Sequence, residues 1–218
     1  MPRQLTFDLS ARPARGRGDF FVSSANAAAV ALIDSSEEWP GRRLLLVGPE
    51  GAGKTHLAHV WADATGAIFL RPGHDPATLA TPAVIEDADR WGRDHDTTLF
   101  HLLNIATERG LPLLLTARRL PTDWGIALAD LQSRVSAVTL ARIEPPDDAL
   151  LMAVVTKLFA DRQIVPPPSL IHWLLPRIER SFAAAERMVA RLDAAALAEG
   201  RAPSRSLARK VLDVEVEG

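Results

Sequence analysis

The sequence predicts an α/β protein with a parallel sheet at its centre and a small all-helical domain at its carboxyl end. Three observations support this: short apolar runs alternate with helical patterns over residues 42–143, one strand leads into a glycine-rich loop, and the later residues have only helical periodicity. Strands that alternate with helices favour a parallel sheet with right-handed crossovers. We therefore divide the chain into an N-terminal tail (1–18), an α/β core (19–144) and a helical domain (145–218).

Composition limits the class of protein. The 218 residues are 47% hydrophobic, which is enough for one core and a small second domain. There is no cysteine, so a disulfide framework and thiolate metal sites are excluded. The net charge of -2 argues against a protein that coats nucleic acid. No apolar run approaches the roughly 18 residues of a membrane span, so we expect a cytoplasmic protein with no membrane partner.

The core elements follow in order. Residues 19–22 (DFFV) open the core, and Ser24 is a plausible N-cap for a short helix after them. Residues 42–48 (RRLLLVG) are continuously apolar, which is typical of a parallel strand buried on both faces. A helical pattern then runs from Lys54 to a glycine stop at Gly66. Further predicted elements are strands at 67–70, 83–87, 111–117 and 137–143 and a helix at 97–110.

The motif GPEGAGKT at residues 48–55 fits G-x-x-x-x-G-K-[ST] and lies between the predicted strand and helix. Its glycines let backbone N-H groups surround phosphates, Lys54 reaches the β- and γ-phosphates, and the Thr55 hydroxyl binds Mg²⁺. We expect ATP or ADP with Mg²⁺ as cofactors. The candidate phosphate-binding residues are Gly48, Pro49, Glu50, Gly51, Ala52, Gly53, Lys54, Thr55 and His56.

Two carboxylates end the predicted strand AVIED. Glu86 is the candidate metal ligand beside Thr55, and Asp87 is the candidate catalytic carboxylate. An aspartate would be usual at the first of these positions, and the longer glutamate side chain alters the metal geometry. The alternative is that both residues only end a strand.

The order of these motifs resembles a known family. The segments that carry the likeness are GPEGAGKTHLAHVWA, VIEDADRW, NIATERG, LLLTARRLP and DLQSRVS. Together they resemble the AAA+ domain of DnaA-type replication initiators, and especially the shorter DnaA-related regulators of the Hda group. The likeness implies a P-loop NTPase (AAA+) core followed by a helical lid.

The resemblance also assigns residue roles. It implies that Phe21, Val22 and Asn26 line an adenine pocket. It further implies that Arg134 is an arginine finger, which acts in trans on the nucleotide of a neighbouring subunit. An arginine at such a position is otherwise a surface residue.

Two positions depart from the family pattern. Arg118 stands where the family has an acidic sensor residue, and Ala183 stands where its second sensor arginine lies. Arg180 or Arg187 is a candidate substitute on the same helix. We therefore expect the chain's own ATP hydrolysis to be weak or absent.

The N-terminal tail carries the segment QLTFDL (4–9), followed by a basic, glycine- and proline-containing stretch at residues 10–18. It resembles the short peptide by which replication proteins dock on the sliding clamp, the β subunit of DNA polymerase III. The candidate clamp-binding residues are Gln4, Leu5, Phe7 and Leu9. The alternative is an edge strand that packs on the core.

The resemblance implies a regulator that docks on the sliding clamp and stimulates ATP hydrolysis by the DnaA initiator. DNA would be reached only through the clamp, and a homodimer is a further expected assembly. Because the sequence ends at Gly218, we expect no DNA-binding domain after the lid. Alternatives are a helicase loader or other DnaA-like accessory ATPase, a small-molecule kinase, and a module that only binds nucleotide.

Overall fold

A computed structural model describes residues 21–213 of the chain. In this part of the chain, five parallel strands form one sheet in the order β2-β3-β4-β1-β5. The predicted α/β fold class with a parallel sheet is confirmed. The strands are β1 (Arg43–Val47), β2 (Ile68–Leu70), β3 (Ala83–Ile85), β4 (Leu113–Ala117) and β5 (Thr139–Arg142).

Helices cover the sheet and then form a separate cluster. The helices that belong to the sheet region are α1 (Ala27–Asp34), α2 (Lys54–Thr65), α3 (Asp96–Glu108) and α4 (Ala129–Ser136). The later helices are α5 (Asp148–Asp161), α6 (Pro168–Leu174), α7 (Phe182–Glu199) and α8 (Arg205–Asp213). We call α5–α8 the lid. None of the helices in residues 21–213 is both long enough and apolar enough to cross a membrane.

The central strand β1 is buried on both faces. Leu44 and Leu46 pack with helices α1 and α2 in one apolar cluster, whereas Leu45 and Val47 pack with α3 and α4 in another. Successive side chains of a strand point to opposite faces, so a continuous apolar run fits a sheet covered on both sides. The lid has an apolar core of its own, centred on the fully buried Phe159.

The helix ends follow from local chemistry. Helix α2 stops at Gly66, whose left-handed φ of 69° favours glycine. Asp147 caps α5 by accepting a hydrogen bond from the Leu150 N-H at 2.7 Å. The predicted cap at Ser24 is wrong, because α1 begins at Ala27 after a turn in which Asn26 Oδ1 accepts from the Ser23 N-H. Ser24 instead donates to Asp147 Oδ2 at 3.2 Å.

The five tryptophans pack against other parts of the protein. Trp39 and Trp61 stack with ring centroids 5.2 Å apart, and Trp91 and Trp124 are also buried. Trp173 in the lid is half-buried and lies beneath the guanidinium of Arg177, 4.2 Å from the ring centroid.

Candidate nucleotide-binding site

The glycine-rich loop at residues 48–53 connects β1 to α2. Its first residue donates from the Gly48 N-H to the Ala117 carbonyl at 3.2 Å, which ties the loop to the end of β4. A side chain at Gly48 would place Cβ 2.6 Å from the carbonyl oxygen of Ile143. Gly51 and Gly53 have φ of 72° and 96°, a backbone region that side chains rarely adopt. The loop therefore needs its glycines. We call residues 48–53 the phosphate loop, after its predicted ligand.

Lys54 opens helix α2 and is only 7% exposed. Its ammonium donates to the carbonyl oxygens of Gly48 (2.7 Å) and Pro49 (2.9 Å). Burial lowers the pKa of Lys54 below its ordinary value, and the charge of Arg118 lowers it further. A buried cation held by carbonyls of its own loop is suited to exchange them for phosphate oxygens. Thr55 follows it and is exposed.

His56 and His59 both lie on α2, beyond the loop. His56 is half-buried beside Thr55. The ring of His59 packs against Phe69, with centroids 4.4 Å apart. His59 therefore contacts the outer strand β2 of the sheet.

Glu86 and Asp87 come directly after β3 and are both half-buried. Asp87 adopts a left-handed φ of 45°, and its N-H donates to Thr116 Oγ1 at 3.0 Å. Among the carboxylates that oppose the lowered pKa of Lys54, Asp87 has the largest influence. Carboxylates are hard oxygen donors, the type of ligand that Mg²⁺ takes when it is bound partly through phosphates.

Sequence reasoning missed two buried polar residues near the loop, Thr116 and Asp89. Thr116 is 1% exposed and fixes the strained backbone of Asp87. Asp89 is a buried carboxylate whose Oδ2 lies 3.6 Å from the Arg119 guanidinium and whose Oδ1 has no hydrogen-bond partner. Its charge also acts on Lys54. The third acidic residue in EDADR was the available signal.

The lid contacts the loop directly. The Phe182 N-H at the start of α7 donates to the Gly51 carbonyl at 2.8 Å, and Ser181 caps the same helix. A Cβ built on Gly51 would lie 2.7 Å from the Cβ of Ser181 and 3.3 Å from that of Ala183. Ala183, where the sequence resemblance implied an arginine, is therefore adjacent to this loop.

Gly51→Ala is expected to destabilise the nucleotide-free protein more than Gly73→Ala does. Both glycines have positive φ (72° and 84°), but nothing lies within 4 Å of a Cβ on Gly73. The shared backbone strain costs about 1–2 kcal/mol, and the collision with Ser181 adds about 1–3 kcal/mol at Gly51 only. Urea unfolding of the two variants measures this difference. Equal losses would contradict the close contact between lid and loop.

The proposed adenine segment lies beside the junction between core and lid. Phe21 and Val22 are 36% and 57% exposed. Asn26 is buried and binds its own segment, with its Nδ2 donating to the Phe21 carbonyl at 2.9 Å. The Glu144 N-H donates to the Ala25 carbonyl at 2.9 Å. Asn26 thus shapes the segment, while Phe21 and Val22 provide its accessible apolar surface.

Arg134 lies in the last turn of α4 and is exposed, with its guanidinium 5.2 Å from the centroid of the Phe100 ring. The strand after it, β5, starts beside the first residues of β1, where Thr139 pairs with Leu44. The phosphate loop follows the opposite end of β1, a five-residue strand of roughly 16 Å. Arg134 therefore lies near the amino ends of β1 and β5, whereas the chain's own loop follows the carboxyl end of β1.

Arg180 and Arg187 were the two candidate substitutes for an arginine at position 183, and neither contacts the loop in the contacts described for it. Arg180 pairs with Asp148 at the start of α5, 2.6 Å from its Oδ1, and Arg187 is exposed on α7. The candidate clamp-binding residues Gln4, Leu5, Phe7 and Leu9 lie outside the described residues.

No family model matches this chain. Among solved structures, it is similar to domain III of the replication initiation protein DnaA from Thermotoga maritima, with a TM-score of 0.79 and 18% identity. That match covers 92% of this chain and 96% of the domain. The chain has the AAA+ fold.

Two further structures with this AAA+ fold are longer than the chain. AMPPCP-bound DnaA from Aquifex aeolicus matches with a TM-score of 0.70 and 15% identity, over 83% of this chain and 65% of that chain. The RuvB Holliday junction branch migration motor from Thermotoga maritima matches with a TM-score of 0.63 and 18% identity, over 79% of this chain and 61% of that chain. The chain spans less than two thirds of both proteins.

Proposed function

We propose that this chain is a nucleotide-binding AAA+ regulator of DNA replication initiation, similar to the Hda group. In this proposal it docks on the DNA-loaded sliding clamp and stimulates ATP hydrolysis by the DnaA initiator. The observation that carries it is the position of Arg134. This exposed cation lies near the amino ends of the strands, away from the chain's own phosphate loop at the carboxyl end of β1. An arginine in that position acts only on a nucleotide held by another molecule.

The chain's own loop would bind ATP or ADP. Lys54 supplies a buried ammonium, the backbone of residues 48–53 supplies N-H donors, and Thr55 with Glu86 would hold Mg²⁺, with Asp87 as the adjacent carboxylate. When bound, Mg²⁺ neutralises charge on the phosphates. Nucleotide binding would also affect the lid. The phosphates would contact the loop, and Gly51 of that loop accepts a hydrogen bond from Phe182 at the start of α7.

The hydrolysis itself would occur in the partner. Water attacks the γ-phosphorus of the initiator's ATP, the bond to the β-γ bridging oxygen breaks, and ADP and inorganic phosphate form. Arg134 places a fixed positive charge near the phosphoryl oxygens as negative charge spreads over them. The face of Phe100 attracts the guanidinium and orients it before the partner arrives.

Docking on the clamp would concentrate the regulator where the initiator acts. The tail residues Gln4, Leu5, Phe7 and Leu9 support this step by their resemblance to clamp-binding peptides. A tether converts the encounter with the initiator into a local event, which raises the effective concentration without any new contact.

Changing Gln4, Leu5, Phe7 and Leu9 together to alanine is expected to reduce stimulated hydrolysis by about 100-fold or more at limiting protein concentration. The assay measures phosphate release from initiator-bound ATP in the presence of clamp-loaded DNA. Stimulation should return when the concentration of the variant is raised, since its Arg134 is intact. Unchanged stimulation at every concentration would contradict clamp docking.

A module that only binds nucleotide, and does not regulate the initiator, is the second candidate. It is favoured by Arg118, because a cation at the end of β4 does not position a hydrolytic water as an acidic residue does. Such a module would bind nucleotide but fail to stimulate the initiator. Helicase loading and phosphate transfer to small acceptors are the remaining outcomes, and direct assays of each distinguish them.

A further inference from the structure

The positive charges around the phosphate loop have an unusual arrangement in this chain. The lid position nearest the loop is Ala183, which lies against Gly51 and carries no charge. Arg180 on the same side of the lid is paired with Asp148, and Arg187 is exposed on α7. Within residues 21–213, Arg118 from the core is a second cation, in addition to Lys54, that contacts the loop.

Arg118 is held at the loop by the backbone. It follows Ala117, the last residue of β4, whose carbonyl accepts the hydrogen bond from the Gly48 N-H at 3.2 Å. Its side chain is 33% exposed and turns to the loop, where Nη1 donates to Glu50 Oε2. Its charge acts on the Lys54 ammonium. Because the lysine of such a loop contacts the β- and γ-phosphates, a bound nucleotide would meet Arg118 through its terminal phosphates rather than through its base.

The partner of Arg118 is a carboxylate that belongs to the loop itself. The side chain of Glu50 is 70% exposed, so little besides Arg118 restrains it. A carboxylate and a phosphate offer an arginine the same bidentate oxygens, and the phosphate carries more charge. A triphosphate in the loop would therefore compete with Glu50 for the guanidinium.

We propose that Arg118 binds the terminal phosphate of a nucleoside triphosphate, in place of the lid arginine that Ala183 does not provide, and that Glu50 holds Arg118 in the nucleotide-free protein. This inference rests on the proposed nucleotide binding by the loop. It makes Arg118 the residue that distinguishes a triphosphate from a diphosphate. The nucleotide state is then sensed from the core strand β4, and the lid follows through Gly51.

Calorimetric titration of the full chain with AMPPCP and with ADP, each with Mg²⁺, tests the assignment. Arg118→Ala is expected to weaken AMPPCP binding by about 10- to 100-fold, with a much smaller effect on ADP. Arg118→Lys should fall between the two, since it keeps the charge and loses the planar fork. Arg177→Ala, which removes an exposed lid arginine that lies on Trp173, should change neither affinity.

Glu50→Gln tests the second half of the proposal. It is expected to strengthen AMPPCP binding by up to about fivefold, and this gain should shrink in the Arg118→Ala background because no guanidinium remains to be released. Equal gains in both backgrounds would overturn the role of Glu50 as a holder of Arg118.

The failures are distinguishable. If wild-type protein binds neither nucleotide, both the proposed function and the role of Arg118 are overturned. If wild-type protein binds both nucleotides and folded Arg118→Ala loses ADP and AMPPCP affinity equally, or loses neither, only the assignment of Arg118 is overturned. Thermal melting of each variant without nucleotide reports whether it is folded.

Discussion

Arg134→Ala is expected to reduce clamp-dependent ATP hydrolysis by the initiator about 10³-fold or more, while the variant still binds its own nucleotide. An arginine supplied in trans contributes a factor of this size because it offsets charge on the phosphoryl group in the transition state. Arg134 is exposed at the sheet edge opposite its own loop, so its loss leaves the contacts of Lys54 intact. Phosphate release measures the first effect, and calorimetric titration with ADP measures the second.

Two further variants make this result specific. Arg134→Lys keeps one positive charge but loses the planar fork, so we expect most of the stimulation to be lost. Arg177→Ala removes another exposed arginine that lies over an aromatic ring, in the lid, and stimulation should persist. Full stimulation by Arg134→Ala would contradict the proposed mechanism, since the described residues offer no second cation in the same position on α4.

The position of Arg134 also has a cost that its neighbours offset. Burial lowers the pKa of Arg43 below its ordinary value, and the nearby charge of Arg134 lowers it further. Two like charges repel, and the Phe100 ring attracts one of them. This arrangement holds a guanidinium at the surface without a carboxylate partner in the contacts described for it. An acidic surface on a partner would relieve the repulsion, which favours association through this edge.

Much of the sheet was predictable because its signals are local. The run RRLLLVG predicted a strand buried on both faces, and β1 is one. The glycine at residue 66 predicted the end of α2, since a left-handed residue ends a helix wherever the rest of the chain lies. Ser24 shows the limit of such signals. It could have capped α1, but the turn made by Asn26 moved the helix start to Ala27 and left Ser24 to bind Asp147.

The features that distinguish this site were not predictable, because they join residues far apart in the chain. Glu50 and Arg118 are 68 positions apart, and Gly51 contacts Phe182 across a longer separation. The sequence placed Arg118 at a sensor position but gave no partner for it. It also paired Glu86 with Asp87 without ranking them, whereas the structure makes Asp87 the carboxylate with the greater effect on Lys54.

Lys54→Met is expected to weaken binding of both ADP and AMPPCP by about 100-fold or more. The ammonium offers charge-assisted hydrogen bonds to phosphate oxygens, and each contributes about 1.5–3 kcal/mol. In the nucleotide-free protein it donates to Gly48 and Pro49, so its removal deletes the cation while the loop glycines remain. Calorimetric titration measures the loss. Lys157→Met, which alters a half-buried lysine paired with Asp161 in the lid, is the matched control and should bind normally.

The pH dependence of nucleotide affinity, compared between the wild-type protein and Lys54→Met, tests whether the charge of Lys54 contributes to binding. Burial lowers the pKa of Lys54, so between the lowered and the ordinary value the unfolded chain binds more protons than the folded one. This group's contribution to stability therefore rises as pH rises through that window. Phosphates favour the charged form, so the nucleotide affinity of the wild-type protein should fall as pH rises toward the ordinary lysine pKa of 10.5. If Lys54→Met shows the same fall, another group causes it. If the nucleotide affinity of Lys54→Met does not change with pH, the titration belongs to Lys54, whose buried ammonium donates to the Gly48 and Pro49 carbonyls and would donate to a phosphate instead.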